Sequence, residues 1–315
     1  MRRIWMVFAV LCLLCTSCTP QAPLTQSFLA LDTACSVKLY GGATEALLRM
    51  AVSTVEEYER LWSRTVPQSD IARLNAAEGE AVALAEETSA LLETASAWMQ
   101  ETDGAFDITV APYKELWETA SAVPSEDVLR EAGQRVGAEK LLSSPWRLAD
   151  GASLDLGAIA KGAVADKLCE RLKADGCTGA LIDLGGNITA LGRKPDGSPF
   201  HVAIADPRDT SKTLLTVAVT DVTLSTSGSY QRFYELEGQR YSHILDPETG
   251  HPVENDLLAV TVIAPCGADA DALSTACFVM GFDKGKALID SLDGIEAVFV
   301  KTDGAAVPTD GVPFC

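Results

Sequence analysis

Basic residues are scarce in this 315-residue chain: 25 lysines and arginines stand against 44 aspartates and glutamates, a formal charge of −19. So acidic a chain lacks the footprint that phosphate backbones require, and nucleic acid is excluded as a partner. An anionic small molecule is not excluded, provided a metal ion or a helix N-terminus offsets its charge locally. Histidine is scarcer still. With three, the groups that titrate near neutrality narrow to His201, His243 and His251. Long apolar runs are missing too: the nearest, Ile4 to Cys15, is too short to span a membrane. Internal repeats, heptads and low-complexity blocks are absent, which excludes solenoids and coiled coils. Cysteines beyond residue 18, namely Cys35, Cys169, Cys177, Cys266, Cys277 and Cys315, lack metal-ligand spacing. Cys169 and Cys277 sit in apolar helical patterns and read as buried thiols. In an exported chain the six leave room for one or two disulfides, whose pairing the sequence does not specify.

What is present is an ordinary globular composition, 47% hydrophobic and 22% charged. It is preceded by a leader: Arg2 and Arg3, the apolar run to Cys15, then Thr16, Ser17 and Cys18, the three-part layout of a secretory signal. The small residues before Cys18 resemble a bacterial lipoprotein processing site, although Cys15 stands where a leucine is usual. A plain signal cut nearby is the alternative. The expected organisation is a signal over 1–18 with Cys18 lipidated, a tether over 19–27 and one domain over 28–315. The lipid would hold that domain on the outer face of the cytoplasmic membrane, the periplasmic side in a Gram-negative cell.

Periodicity predicts a strand from Phe28 to Tyr40 with odd positions inward, then a helix from Thr44 to about Leu61. Further helices are expected at Glu86–Gln100, Ser125–Arg135, Ile159–Lys173, Asp269–Met280 and from Lys284. Residues 148–154 read as strand-like, and a strand is expected at Glu296–Val300. Between Ala180 and Val262 short strands fall at 180–184, 200–205, 214–219, 231–236, 240–245 and 257–263, broken by glycine and proline turns. The fold class is α+β, mainly antiparallel sheet with flanking helices.

Four segments carry polar residues that core packing does not require. In 103–109, Asp103-Gly104 marks a turn leading through Ala105, Phe106 and Asp107 towards Pro112. In 155–162, small residues at a strand-to-helix junction let backbone N–H groups approach an anion, and Lys161 adds a mobile charge. P-loop spacing is absent there. The third pairs Ser225-Thr226-Ser227-Gly228-Ser229-Tyr230, which reads as a turn, with Tyr241 to Pro247. There His243 suits orienting a hydroxyl or taking its proton, or simply bonding to the turn. His201 and His251 read as surface or turn residues. In 268–276, Asp271 and Thr275 lie one helical turn apart, so their oxygens can face one point. With a backbone carbonyl they make a sparse oxygen site suited to Mg²⁺. From that segment alone, Asp269 and Asp271 read better as helix caps.

Taken in order, Leu74-Asn75, GAFDITVAP (104–112), LDLGAIAKG (154–162), DLGGN (183–187), STSGSY (225–230), SHILDPETGHP (242–252) and ADALSTA (270–276) resemble the ApbE family, FAD:protein FMN transferases. The resemblance runs from about Phe28 to Gly281 and implies a T-fold-related architecture. It implies an exported enzyme that binds FAD with Mg²⁺ or Mn²⁺, releases AMP and leaves FMN on a threonine or serine of an acceptor protein. Carried over by position, it implies metal ligation by Asp271, Thr275 and the Ala158 carbonyl. FAD contacts would come from Leu31, Ala105, Phe106, Asp107, Asp155, Lys161, His243 and Leu245, with His243 and Asp155 as the catalytic pair. Two departures stand out: the family's M-G-T reads Leu31-Asp32-Thr33, and its S-G-D-Y reads Ser227-Gly228-Ser229-Tyr230. Two other readings stay open, an FAD pyrophosphatase that uses water and a non-catalytic flavin-binding lipoprotein. No Ser/Thr motif within the chain reads as a self-modification site, and the acceptor is not named by the sequence.

Overall fold

A computed structural model describes residues 22–149, 151–230 and 232–315. The expected leader, with Cys18, lies outside the described residues. The elements in order are β1 (Leu24–Ala30), β2 (Thr33–Leu39), α1 (Glu45–Trp62), α2 (Asp70–Asn75), α3 (Glu86–Glu101), α4 (Ala111–Thr119), α5 (Glu126–Gly133), β3 (Leu141–Leu142), β4 (Arg147–Leu148) and α6 (Ala160–Ala174). There follow β5 (Gly179–Leu184), β6 (Asn187–Gly192), β7 (Phe200–Asp206), β8 (Asp209–Val219), β9 (Val222–Gly228), β10 (Phe233–Leu236), β11 (Gln239–Ser242), β12 (Leu257–Ala264), α7 (Gly267–Met280), α8 (Phe282–Asp290), β13 (Glu296–Lys301) and β14 (Ala306–Pro308).

Eight strands form one sheet in the order β1-β2-β5-β6-β9-β12-β13-β14, every neighbouring pair antiparallel. One face is covered by α1, α6, α7 and α8, whose apolar stripes bury Leu48, Val55, Val164, Leu168, Leu273 and Phe278. The other face packs on the β7–β8 hairpin through Phe200, Val202, Ile204 and Val217. A satellite cluster of Tyr113, Trp117, Leu129 and Leu245 ties α4 and α5 to the β10–β11 hairpin. Among the described residues no helix is long and apolar enough to cross a membrane. The six described cysteines are all free thiols; Cys277 is buried as expected, while Cys169 is only half-buried.

Several local expectations fail for identifiable reasons. The strand expected over Phe28–Tyr40 is a hairpin whose first arm begins at Leu24, inside the expected tether. Its turn is Leu31-Asp32, both left-handed at φ 55° and 53°. The turn resets the inward parity, so Leu29 is 84% exposed while Val37 and Leu39 are fully buried. Of the described residues in 148–154, only Leu148 lies in a strand, Arg147–Leu148, and Ser153 forms an isolated bridge with Val110. The Ser/Thr run at 225–228, expected as a turn, is the inner strand β9. Strand β6 and helices α2 and α4 were not anticipated at all.

Candidate functional site

The helix-facing side of the sheet carries a polar stripe where aliphatic residues would otherwise pack. Asn187 and Thr189 of β6 and Thr223, Ser225 and Ser227 of β9 are all buried there. Opposite them α7 presents Asp271, 3% exposed, with Ser274 and the half-buried Thr275. Buried hydroxyls and a carboxylate are costly unless bonded, and these are. Ser225 Oγ lies 3.0 Å from Asp271 Oδ1, and Ser274 Oγ donates to the Asp271 carbonyl at 2.9 Å. Ser227 Oγ lies 2.8 Å from Ser274 Oγ and 3.2 Å from Thr275 Oγ1.

Asp271 is not a helix cap. The N-terminus of α7 is capped by Asp166 of α6, which accepts from Gly267 N–H at 2.7 Å and Ala268 N–H at 3.0 Å, and Asp269 accepts from the Trp98 indole at 2.7 Å. Asp271 faces α6 instead, accepting from Gly162 N–H at 3.1 Å. The helices touch closely here because Gly162 has no side chain: a Cβ would meet the Gly267 carbonyl oxygen at 1.9 Å. The Lys161 ammonium lies 3.3 Å from both Asp271 oxygens and donates to the Gly157 carbonyl at 3.0 Å. A protein cation therefore stands against the carboxylate.

These groups open onto a cavity of about 650 Å³, a volume typical of cofactor sites. Its lining includes Leu31, Ala105, Phe106, Asp107, Asp155, Ala158, Lys161, His243, Leu245, Asp271 and Thr275, so every site residue expected within the described chain converges there. The convergence is enforced locally. Asn75 clasps Leu154 through both backbone groups, at 3.0 and 2.7 Å, and Asp155 N–H donates to the Ile108 carbonyl at 2.8 Å. The 104–112 and 154–162 segments are thereby aligned side by side. Leu245 is fixed by pairing with Pro252 around a turn whose Gly250, at φ 73°, lies flat against the Tyr113 ring.

Charge sorts the carboxylates. Burial would raise the Asp155 carboxyl, but Lys114 and Arg64, each 2.8 Å from Oδ2, and the Gly157 N–H outweigh it and hold the pKa down to about 2. Asp155 is thus an anchor for two cations rather than a proton acceptor. Asp107 is the opposite case. Burial pushes it up to about 6 against the lowering effect of bonds from Thr109 N–H and Oγ1. His243 Nδ1 lies 3.0 Å from the Arg232 carbonyl; a carbonyl only accepts, so Nδ1 carries the proton and Nε2 keeps its lone pair. Partial burial, with Lys114 and Arg232 nearby, lowers this imidazole to about 4, so it is neutral at physiological pH. Its hydrogen bond runs to Arg232, not to the Asp-Pro turn. His201 is exposed and His251 pairs with Glu126, both away from the cavity lining.

Arg64, Lys114, Glu118 and Arg232 lie outside every segment that sequence reading singled out, while Asn187, Ser225 and Ser274 lie within its motifs but had no role assigned. Lys114 had a signal, since Pro112 stands at the start of α4 as a helix-initiating residue; Arg64, in a loop, had none.

The sequence matches the ApbE family over residues 31–299. It is 37% identical to the FAD:protein FMN transferase of Treponema pallidum, across 90% of this chain and 86% of that one. Against the corresponding Klebsiella pneumoniae protein the identity is 31%, across 87% and 88%. Among solved structures, the ApbE protein of Thermotoga maritima superposes with a TM-score of 0.85 at 28% identity, covering 91% of this chain and 97% of that one. The flavinyl transferase ApbE of Pseudomonas stutzeri does so at 0.82 and 33%, covering 91% and 95%. With the family model matched over residues 31–299 and a relative 37% identical across 90% of the chain, this protein belongs to the ApbE family.

Proposed function

We infer that this protein is a transferase that moves FMN from FAD onto an acceptor protein, forming a phosphoester with a threonine or serine hydroxyl and releasing AMP. The observation that carries this is one cavity in which a buried oxygen site, a neutral imidazole and four cationic side chains meet. Arg64, Lys114, Lys161 and Arg232 are the lining groups that suit phosphate oxygens, but six carboxylates share the lining, so an anionic dinucleotide needs a divalent cation beside them.

The residues around Asp271 fit a small divalent cation. The donors are hard oxygens, the carboxylate is buried, and a lysine ammonium already stands 3.3 Å from it as a cation in place. Held by Asp271, Thr275 and the Ala158 carbonyl, Mg²⁺ or Mn²⁺ would polarise the pyrophosphate and offset the charge gathered on departing AMP. The protein's own groups do the rest. Lys161 and Lys114 orient the phosphates, and Asp155 keeps Lys114 and Arg64 in position. The acceptor hydroxyl oxygen attacks the FMN phosphorus, the bond from that phosphorus to the bridging oxygen breaks, and AMP leaves. His243 Nε2 receives the hydroxyl proton. For the leader we propose export and lipid anchoring through Cys18; an unmodified Cys18 in the mature protein would refute the anchor.

The test is incubation of the mature protein with FAD and Mg²⁺, with and without a threonine-containing acceptor, following AMP by chromatography and acceptor mass. An FMN-sized mass gain that needs both acceptor and metal is expected. AMP with free FMN and no mass gain would make the protein a pyrophosphatase, and binding without AMP a flavin carrier.

A further inference from the structure

Among the described residues one buried side-chain nitrogen has no hydrogen-bond partner: Nδ2 of Asn187, the last residue of the DLGGN motif and 2% exposed. Its Oδ1 lies 2.9 Å from Ser225 Oγ, which also lies 3.0 Å from Asp271 Oδ1 and 3.2 Å from Ser274 Oγ. A serine hydroxyl has one proton to give. A carboxylate is acceptor-only, so the 3.0 Å contact with Asp271 claims that proton. Ser274 gives its own to the Asp271 carbonyl. With Ser225 thus committed, an amide oxygen 2.9 Å away would set two lone-pair-bearing oxygens against each other while a buried N–H₂ goes unused. Turning the carboxamide over about its own axis removes both faults, and leaves unpaired only a carbonyl oxygen, the cheaper orphan.

We propose that Asn187 is a positioning residue for the metal site, its Nδ2–H donating to Ser225 Oγ and the Ser225 hydroxyl donating to Asp271 Oδ1. This rests on the metal reading above. The relay has one direction, from amide to hydroxyl to carboxylate. It fixes the rotation of the Asp271 carboxyl from the side opposite the cavity, while Gly162 N–H fixes Oδ2. It also leaves Ser227 free to donate to Ser274, so the Thr275 oxygen keeps a lone pair for the ion. Supporting bonds of this kind tune metal affinity about 10- to 100-fold.

The test measures Mn²⁺ binding to the full chain without FAD, by the paramagnetic resonance of free Mn²⁺, for wild type, Asn187→Ala, Asn187→Asp, Ser225→Ala and the Asn187→Ala/Ser225→Ala double variant. Asn187→Ala is expected to weaken Mn²⁺ by about 10-fold with the melting temperature of the apo protein little changed. Asn187→Asp, nearly isosteric, should be worse, because a second acceptor takes the Ser225 proton. The double variant should lose no more than Ser225→Ala alone. Wild-type affinity in Asn187→Asp would overturn the relay, as would a neutron structure with Oδ1 facing Ser225; Nδ2 facing it would establish the relay. Failure of wild type itself to bind Mn²⁺ would sink the metal reading first.

Discussion

His243 shows how a weakly basic group can serve as a proton acceptor. Held near 4 by partial burial and neighbouring cations, it is in its accepting form throughout the physiological range and becomes imidazolium only as pH falls through about 4. The acid limb of kcat/KM, which reports the free enzyme, is therefore expected near pH 4 rather than 6.5. Bound pyrophosphate favours the imidazolium, so the limb in kcat should lie higher. His243→Ala should lower transfer by about 100-fold or more while FAD still binds, a split that a pH–rate series with fluorescence titration would resolve. Asp107 offers a stability test of opposite sign. Its folded pKa, raised to about 6 from 3.8, means the folded state holds its proton longer, so stability is lost as pH rises across that interval. Asp107→Asn keeps an acceptor for Thr109 and removes the buried charge. Its melting temperature should exceed wild type at pH 8 and match it near pH 4, and a loss of FAD affinity is the expected companion.

At the scale of elements, the α6–α7 contact positions the site, and Gly162 sets its distance. Gly162→Ala drives a methyl into the Gly267 carbonyl, so a cost of roughly 1–3 kcal/mol is expected. Calorimetry should show it together with weakened metal binding, and an unchanged melt would mean that the helices separate freely. Legibility in the sequence followed the same elements. α1 was plain because Thr44 caps it and its apolar residues repeat at helical spacing. β9 was hidden because its inward residues are Ser225 and Ser227, hydroxyls chosen for the site rather than for a sheet interior. The Leu31-Asp32 turn was hidden because Leu31 is a residue that rarely takes a left-handed backbone, although Asp32 is one that can. Four segments of the cavity lining were legible from their polar residues, but that they share one cavity was legible only through motif order. Pairs such as Lys161 and Asp271, 110 positions apart, meet through topology that periodicity does not encode.

For the whole molecule, one sheet buttressed on both faces supports a cavity in which four cations stand among six carboxylates. Ligands that bind only the folded chain stabilise it by mass action. FAD with Mg²⁺ at about a hundredfold excess over Kd should raise the melting temperature by roughly 5 °C. Asp271→Ala should remove the Mg²⁺-dependent part of that shift and abolish transfer; its unliganded melt should fall, because the Gly162 N–H and the Ser225 hydroxyl lose their acceptor. An unaltered Mg²⁺ response in this variant would place the ion elsewhere.

On the proposed metal reading, the ammonium resting against Asp271 would make loading an exchange. Any divalent ion that settles there must evict a tenant that is tethered and so never diffuses away, and the measured affinity is the difference between two attractions. Loading should therefore be modest in strength and quick to reverse. Each arrival would also free a positive arm inside the same cavity at the moment it becomes useful.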